Sequence, residues 1–441
     1  MKHNICMKIC FLFLFLHMFG EFSAQSYTSY FTGDTVNIST SPEGGICMMG
    51  GATEHDEAMK WFLERAKGGD ILVLRASGSD GYNNYLYSQL GVSVNSVETI
   101  IFHQVSANSE PYIHQQIQQA EAIWLAGGNQ WDYISFWRNS AIDSLINDAI
   151  INRNIVIGGT SAGMAILGKY YFSAQTGTVT SSTALSNPYH TSVNVDSTKF
   201  LNLVMLRDVI TDTHYDNPDR RGRHITFLGR VLQDWNIKAK GIACEEYTAV
   251  CIDTNGIARV FGEYPNYDDA AYFIQPNCEL SSLYPENCSS GNPLTWNLNN
   301  LAVKTYKVYG TNQGTGYFNI INWQTGNGGQ WYDWYVDNGI FYSNPGDSIN
   351  CGNTAISESS VDSAIFKLYP NPSNVNCVNI VFDQEGSKTI SILDNKGQRI
   401  SKTILSNPTL SYRVNDLETG VYFIQVISAN KISTKKLIIS N

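Results

Sequence analysis

Few folds accommodate the stretch Ile155-Val156-Ile157-Gly158-Gly159-Thr160-Ser161-Ala162-Gly163-Met164-Ala165-Ile166-Leu167-Gly168. Its three β-branched apolar residues predict a buried strand, its paired glycines a tight turn, and Met164 to Leu167 the first turn of a helix. Ser161 sits at the bend, inside a G-x-S-x-G pattern. Small residues on either side of a nucleophile permit a strained strand-to-helix turn that pushes its hydroxyl outward. The helix that follows aims backbone N–H groups at the space above that hydroxyl, where an oxyanion would form. Ser161 is therefore a candidate acyl-transfer nucleophile; the competing reading is a glycine-rich turn with an incidental serine.

The surrounding chain repeats the strand–helix alternation. Strand-like runs occur at Gly45–Met49, Asp70–Ala76, Glu98–Phe102 and Ala122–Ala126, with helical spacing over Glu54–Lys67, Tyr82–Leu90, Ile113–Gln119 and Ser140–Asn152. Such alternation predicts an α/β fold, a mostly parallel sheet flanked by helices on both faces. Ligands bind beyond the carboxyl ends of such strands, where the glycine turns Gly127-Gly128 and Gly158-Gly159 fall. From about Tyr264 to Asn350 the chain is rich in Tyr, Trp, Asn and Gly with little helical period, which predicts added β-structure.

At 441 residues more than one folding unit is expected. Residues 1–24 read as a secretory signal peptide, with Lys2, His3 and Lys8 ahead of the apolar run Ile9–Leu16, which is well short of the roughly 20 residues that span a bilayer. A catalytic domain is expected over 25–350, a polar linker over 351–364, and a small β-sandwich over 365–441, where alternating strands are separated by turns. The seven cysteines from Cys47 onward show no metal-ligand spacing, so no metal or other cofactor is expected. Cys278 and Cys288 flank a short polar loop and could close a disulfide, whereas Cys47 and Cys251 lie in apolar runs as buried thiols. A net charge of −10 argues against a nucleic-acid partner.

A serine hydroxyl needs a base, normally a histidine that a carboxylate orients. His214 is preferred because it ends the apolar run from Asp208 next to Asp212, a context that His55, His103, His114, His190 and His224 lack. Glu246 is favoured as the orienting acid because it precedes a strand at the same edge; Glu245 stays open. The order Ser161, His214, Glu246 differs from that of α/β-hydrolases, which place the acid between serine and histidine.

Four blocks together resemble the cyanophycinases: Gly127-Gly128-Asn129-Gln130, Gly158 to Gly163, Asp212-Thr213-His214-Tyr215 with Arg220-x-Gly222-Arg223, and Gly241 to Ala249. These are serine peptidases related to the aspartyl dipeptidases, with a fold like that of class I glutamine amidotransferases. The resemblance, over roughly Gly44 to Ile252, implies Ser161 as nucleophile, His214 as general base and then acid, and Glu246 as the orienting acid. It implies an oxyanion held by backbone N–H groups around Gly128 and of Ala162, and a substrate pocket lined by Gln130, Asp212, Arg220 and Arg223. Its substrate would be a poly-aspartate carrying arginine, or a related β-aspartyl peptide, cut to β-Asp-Arg-type dipeptides. Thr213 stands where the family typically has glutamine and Pro218 where it often has arginine, so the pocket departs from the pattern more than the catalytic blocks do.

The last segment resembles the C-terminal sorting domain of type IX secretion cargo, through Leu368-Tyr369-Pro370-Asn371-Pro372, Asp394-x-x-Gly397 and Gly420-Val421-Tyr422 before Lys435 to Ile439. That implies the type IX machinery as partner and export through the periplasm to the medium or the cell surface. A carbohydrate-binding module is the alternative, without an obvious tryptophan cluster to serve it. A homodimer is compatible with the sequence. Two functional alternatives stand beside the hydrolase: a surface binding protein with a vestigial triad, or an aspartyl dipeptidase of different substrate. A glutamine amidotransferase would need cysteine at position 161.

Overall fold

Alternation of side chains along the strands decides the layering of the larger unit. The computed structural model describes residues 25–351, 366–373, 377–382, 386–394, 398–405, 410–428 and 431–440. The expected signal peptide (1–24), nearly all of the expected linker (352–364) and Gly397 of the sorting motif lie outside the described residues. The chain falls into two compact units that divide between Cys351 and Gly352.

In chain order the strands of the first unit are β1 (Tyr27–Gly33), β2 (Gly45–Met49), β3 (Asp70–Arg75), β4 (Ser96–Phe102), β5 (Ala122–Leu125), β6 (Val156–Thr160), β7 (Tyr171–Phe172), β8 (Val195–Asp196) and β9 (Val209–Asp212). They continue as β10 (Lys240–Cys244), β11 (Ala249–Ile252), β12 (Ile257–Phe261), β13 (Ala270–Pro276), β14 (Val303–Tyr309), β15 (Gly316–Asn319), β16 (Gly326–Asn327), β17 (Gly329–Asp337) and β18 (Ile340–Pro345). The helices are α1 (Asp56–Arg65), α2 (Gly81–Asn84), α3 (Pro111–Gln119), α4 (Gln130–Trp137), α5 (Ala141–Asn152), α6 (Ala162–Ala165), α7 (Ser181–Ser186) and α8 (Arg221–Trp235). The tyrosine-rich helix expected over 82–90 is α2 running into a π-helical turn, Tyr85–Gln89.

A ten-stranded sheet has the order β1-β4-β3-β5-β6-β2-β11-β12-β15-β16. Its centre, from β4 to β2, is parallel, and the strands on both flanks are antiparallel. Leu72, Leu74, Ile123, Leu125 and Ile157 face one way and pack with Ile113, Ile117, Trp137 and Ile146 of α3 to α5. Their neighbours Ile71, Val73, Ala122, Trp124 and Val156 face the other way, onto Ala58, Met59, Phe62 and Leu63 of α1. A strand buried on both faces must be apolar throughout, which is why these runs read as continuous hydrophobic stretches.

A second sheet, β18-β17-β14-β13-β10-β9, is antiparallel except for the pair β9–β10. One of its faces contributes Ile242, Cys244, Ala271 and Phe273 to the first core; the other, with Ile210, Ala243 and Ile274, packs against Phe227, Leu228 and Val231 of α8. The region after Tyr264 builds most of this sheet. The expected pairing of Cys278 with Cys288 is wrong: Cys278 bonds Cys351. Cys278 and Cys351 both lie against the first core, whereas Cys288 is buried in the second, so the short loop between Cys278 and Cys288 joins two different hydrophobic clusters.

The second unit has a three-stranded and a four-stranded antiparallel sheet enclosing Phe366, Val378, Ile380, Ile390, Ile424, Val426 and Leu437. Among the described residues no helix is long and apolar enough to cross a membrane.

Candidate active site

β6 ends at Thr160, and Ser161 takes up φ +49° and ψ −113° before α6 begins. That backbone is one L-residues rarely adopt. The turn is held by the Ser161 N–H, which donates to the Met49 carbonyl at 3.1 Å. The flanking glycines are needed for close approach: a Cβ on Gly163 would lie 1.9 Å from the Leu125 carbonyl oxygen, and one on Gly159 would lie 2.6 Å from the Gly163 carbonyl carbon. The helix starts at Ala162, two residues before the expected Met164, because the serine is itself the bend.

His214 follows β9 with φ +45°, and its N–H donates to the Gly50 carbonyl at 2.8 Å. The next residue of that turn, Gly51, passes directly under the imidazole; a Cβ there would come within 2.3 Å of the ring. The glycine turn after Met49 is legible in the sequence, but nothing in its composition announces that it seats a histidine.

Glu246 lies in the link between β10 and β11, where its N–H donates to Asp216 Oδ1 at 2.9 Å. The structure brings the three side chains into one chain of hydrogen bonds. Ser161 Oγ is 2.8 Å from His214 Nε2, and His214 Nδ1 is 2.6 Å from Glu246 Oε1. A carboxylate can only accept, so Nδ1 carries the proton and Nε2 is left to accept from the serine. The His214 hydrogen bond holds the Glu246 carboxyl below the usual range, with a further contact from Asn217 Nδ2 at 3.4 Å. Neither Asp216 nor Asn217 carried a sequence signal. Glu245 turns away: its Oε1 accepts from the Tyr272 hydroxyl at 2.6 Å, and burial pushes its carboxyl up to about 7. Of the two acids left open by the sequence, Glu246 is the one beside the imidazole.

Ser161 and His214 open into a cleft of about 310 Å³ that Gly128, Gln130, Thr213, Arg220 and Arg223 also line. Gly128 belongs to the turn after β5, where Asn129 caps α4 by accepting from the Trp131 N–H at 3.2 Å. Gln130 Nε2 donates to the Phe172 carbonyl at 2.6 Å. Ala162 opens α6, so its N–H has no acceptor within that helix.

The two candidate arginines differ. Arg223 is 3% exposed and already gripped by Asp212, itself 2% exposed, through Nε–Oδ2 at 2.9 Å and Nη2–Oδ1 at 2.5 Å. Among the described residues no carboxylate pairs with Arg220, whose Nη1 donates to the Thr213 carbonyl at 3.0 Å; burial and the charge of Arg223 push its guanidinium down to about 10. Arg220 is thus the cleft cation with no carboxylate in hydrogen-bond contact, although Asp212, Glu246 and Asp216 act on it through space.

The Asp212–Arg223 pair should matter for stability. Burial alone would raise the Asp212 carboxyl, but Arg223 holds it below its ordinary value. A depressed carboxylate contributes stability above its unfolded pKa of about 3.9, and that contribution is lost as pH falls through the folded value. Asp212→Asn leaves Arg223 buried without its counter-charge and should cost about 3–5 kcal/mol. Denaturant titration at neutral pH checks this, and the variant should also lose part of the acid dependence of unfolding.

Among the described residues no group of three His, Cys, Asp or Glu side chains is arranged to hold a metal ion.

Comparison with known proteins matches residues 51–260 to peptidase family S51 and residues 367–440 to the secretion system C-terminal sorting domain. Solved structures similar to the chain include a peptidase from an acI-B1 Actinobacterium (13% identity, 53% of this chain and 91% of that one, TM-score 0.39). Another is a putative peptidase E protein from Listeria monocytogenes EGD-e (16% identity, 50% of this chain and 98% of that one, TM-score 0.31).

Proposed function

We propose, from the match of residues 51–260 to peptidase family S51, that this chain is an exported serine-type exopeptidase that cleaves cyanophycin or related β-aspartyl peptides through Ser161, His214 and Glu246. The observation that carries the reading is the unbroken line from Ser161 Oγ to His214 Nε2 and from His214 Nδ1 to Glu246. In the reaction, His214 takes the proton as Ser161 Oγ attacks the scissile carbonyl, and Glu246 stabilises the imidazolium that results. The oxyanion is held by the N–H groups of Gly128 and Ala162. His214 then passes the proton to the leaving amine, and water repeats the sequence to free the acyl group.

Arg220 supplies the contact for a free substrate carboxylate, since a guanidinium matches that group in shape and charge. Arg223, held by Asp212, forms the cleft wall and keeps that wall in place. Gln130 lines the same cleft as the serine, its amide held by the Phe172 carbonyl. The sorting domain directs export by the secretion machinery, by way of the periplasm.

Incubation with cyanophycin followed by mass analysis should release β-Asp-Arg dipeptides, and a fluorophosphonate should label Ser161. Folded protein that neither labels nor cleaves would favour a binding role instead. Arg220→Gln should raise KM for carboxylate-bearing substrates about 10- to 100-fold, the loss of roughly 1.5–3 kcal/mol for a charged hydrogen bond, with a smaller change in kcat. Steady-state kinetics separates the two constants.

A further inference from the structure

Cys47 and Cys251 face each other across β2 and β11, and we propose that export closes them into a cross-strand disulfide. The two residues are direct partners in the antiparallel register. The Gly50 N–H donates to the Thr248 carbonyl, which places hydrogen-bonded rungs at Gly50/Thr248, Met48/Val250 and Ile46/Ile252. The cysteines occupy a rung between, of the kind in which paired Cα atoms approach to about 4.5 Å and side chains come closest. That separation falls within the range disulfides span. Their sulfurs are 3.7 Å apart.

The third thiol nearby does not compete. Cys244 belongs to the hydrophobic cluster on the other face of the sheet and directs its sulfur to the Met48 carbonyl.

Cys47 and Cys251 are 0% and 1% exposed, and burial pushes the Cys251 thiol up, so the folded, reduced pair is inert. Oxidation therefore precedes burial, while the emerging chain can meet a disulfide-bearing thiol oxidoreductase. One cysteine thiolate attacks the donor disulfide, expels one donor sulfur as thiolate and forms a mixed disulfide. The second cysteine thiolate attacks the first cysteine's sulfur in that mixed disulfide, which forms the Cys47–Cys251 bond and expels the remaining donor sulfur, so the donor leaves as a dithiol. Two electrons and two protons pass from the cysteine pair to the donor. The Cys278–Cys351 bond of the same unit calls for the same oxidation.

The bond would tie together the strands that support the candidate site: β2 leads into Gly50 and Gly51 beneath His214, and the Tyr247 N–H beside Glu246 donates to the Gly51 carbonyl. Detecting the bond does not depend on what Ser161 does.

The full chain, exported by a host with the secretion machinery, should be unfolded in N-ethylmaleimide and mapped by mass without reduction. The expected result is a Cys47 peptide linked to a Cys251 peptide, with Cys244, Cys288 and Cys377 alkylated. Alkylated Cys47 and Cys251 in molecules whose Cys278–Cys351 bond is closed would overturn the proposal. In a second measurement, on chain lacking that other bond through Cys278→Ser and Cys351→Ser, a reductant should lower the melting temperature by several degrees. The same chain with Cys251→Ser should not respond, and an equal response in both overturns the idea.

Discussion

Ser161→Ala is expected to lower kcat about 10⁴- to 10⁶-fold with no loss of folding, the size of effect seen when a serine peptidase loses its nucleophile. The substitution removes only Oγ. Alanine carries the same Cβ at the same φ of +49°, so the backbone constraint is unchanged, as are the Met49 contact and the close approach of Gly163 to Leu125. Kinetics on a β-aspartyl substrate, with a melting curve beside it, checks both halves. Activity within tenfold of the parent in a normally folded variant would move the nucleophile elsewhere.

The second large effect separates the two adjacent acids. Glu246→Gln should cost about 10⁴ in kcat, because the carboxamide neither fixes the Nδ1–H tautomer of His214 nor stabilises the imidazolium. Glu245→Gln removes a carboxyl whose partner is Tyr272 and should leave kcat within a few-fold. Its effect belongs in the pH profile: Glu245 acquires its charge near pH 7, and the variant should lose whatever inflection that charge imposes there. Parallel pH–rate profiles of both variants decide the matter. A larger loss from Glu245→Gln than from Glu246→Gln would exchange their roles.

Much of this was legible in the sequence, for identifiable reasons. The central strands could be read because both faces are buried, leaving uninterrupted runs such as Ile71 to Leu74. Ser161 was legible because its turn tolerates only small neighbours. The choice between Glu245 and Glu246 was not, because it depends on which way the link out of β10 turns, and that turn passes through Tyr247 at φ +60°. The run from Gly241 to Ile252 conceals a change of sheet: β10 belongs to the six-stranded sheet and β11 to the ten-stranded one. The same blindness to layers misled the cysteine pairing, since proximity along the chain did not reveal that Cys278 and Cys288 serve different cores. Arg220 and Arg223 looked equivalent, and only the fold shows that Asp212 occupies one of them.

Ser161 is supplied by the ten-stranded sheet and His214 by the end of a strand in the six-stranded one. Neither half has a partner until both layers have docked, so a nascent or threading polypeptide carries an inert alcohol and a solitary imidazole. For a chain that carries a secretion sorting domain, assembly then doubles as a safety catch, since the alcohol meets its imidazole only once the architecture is complete.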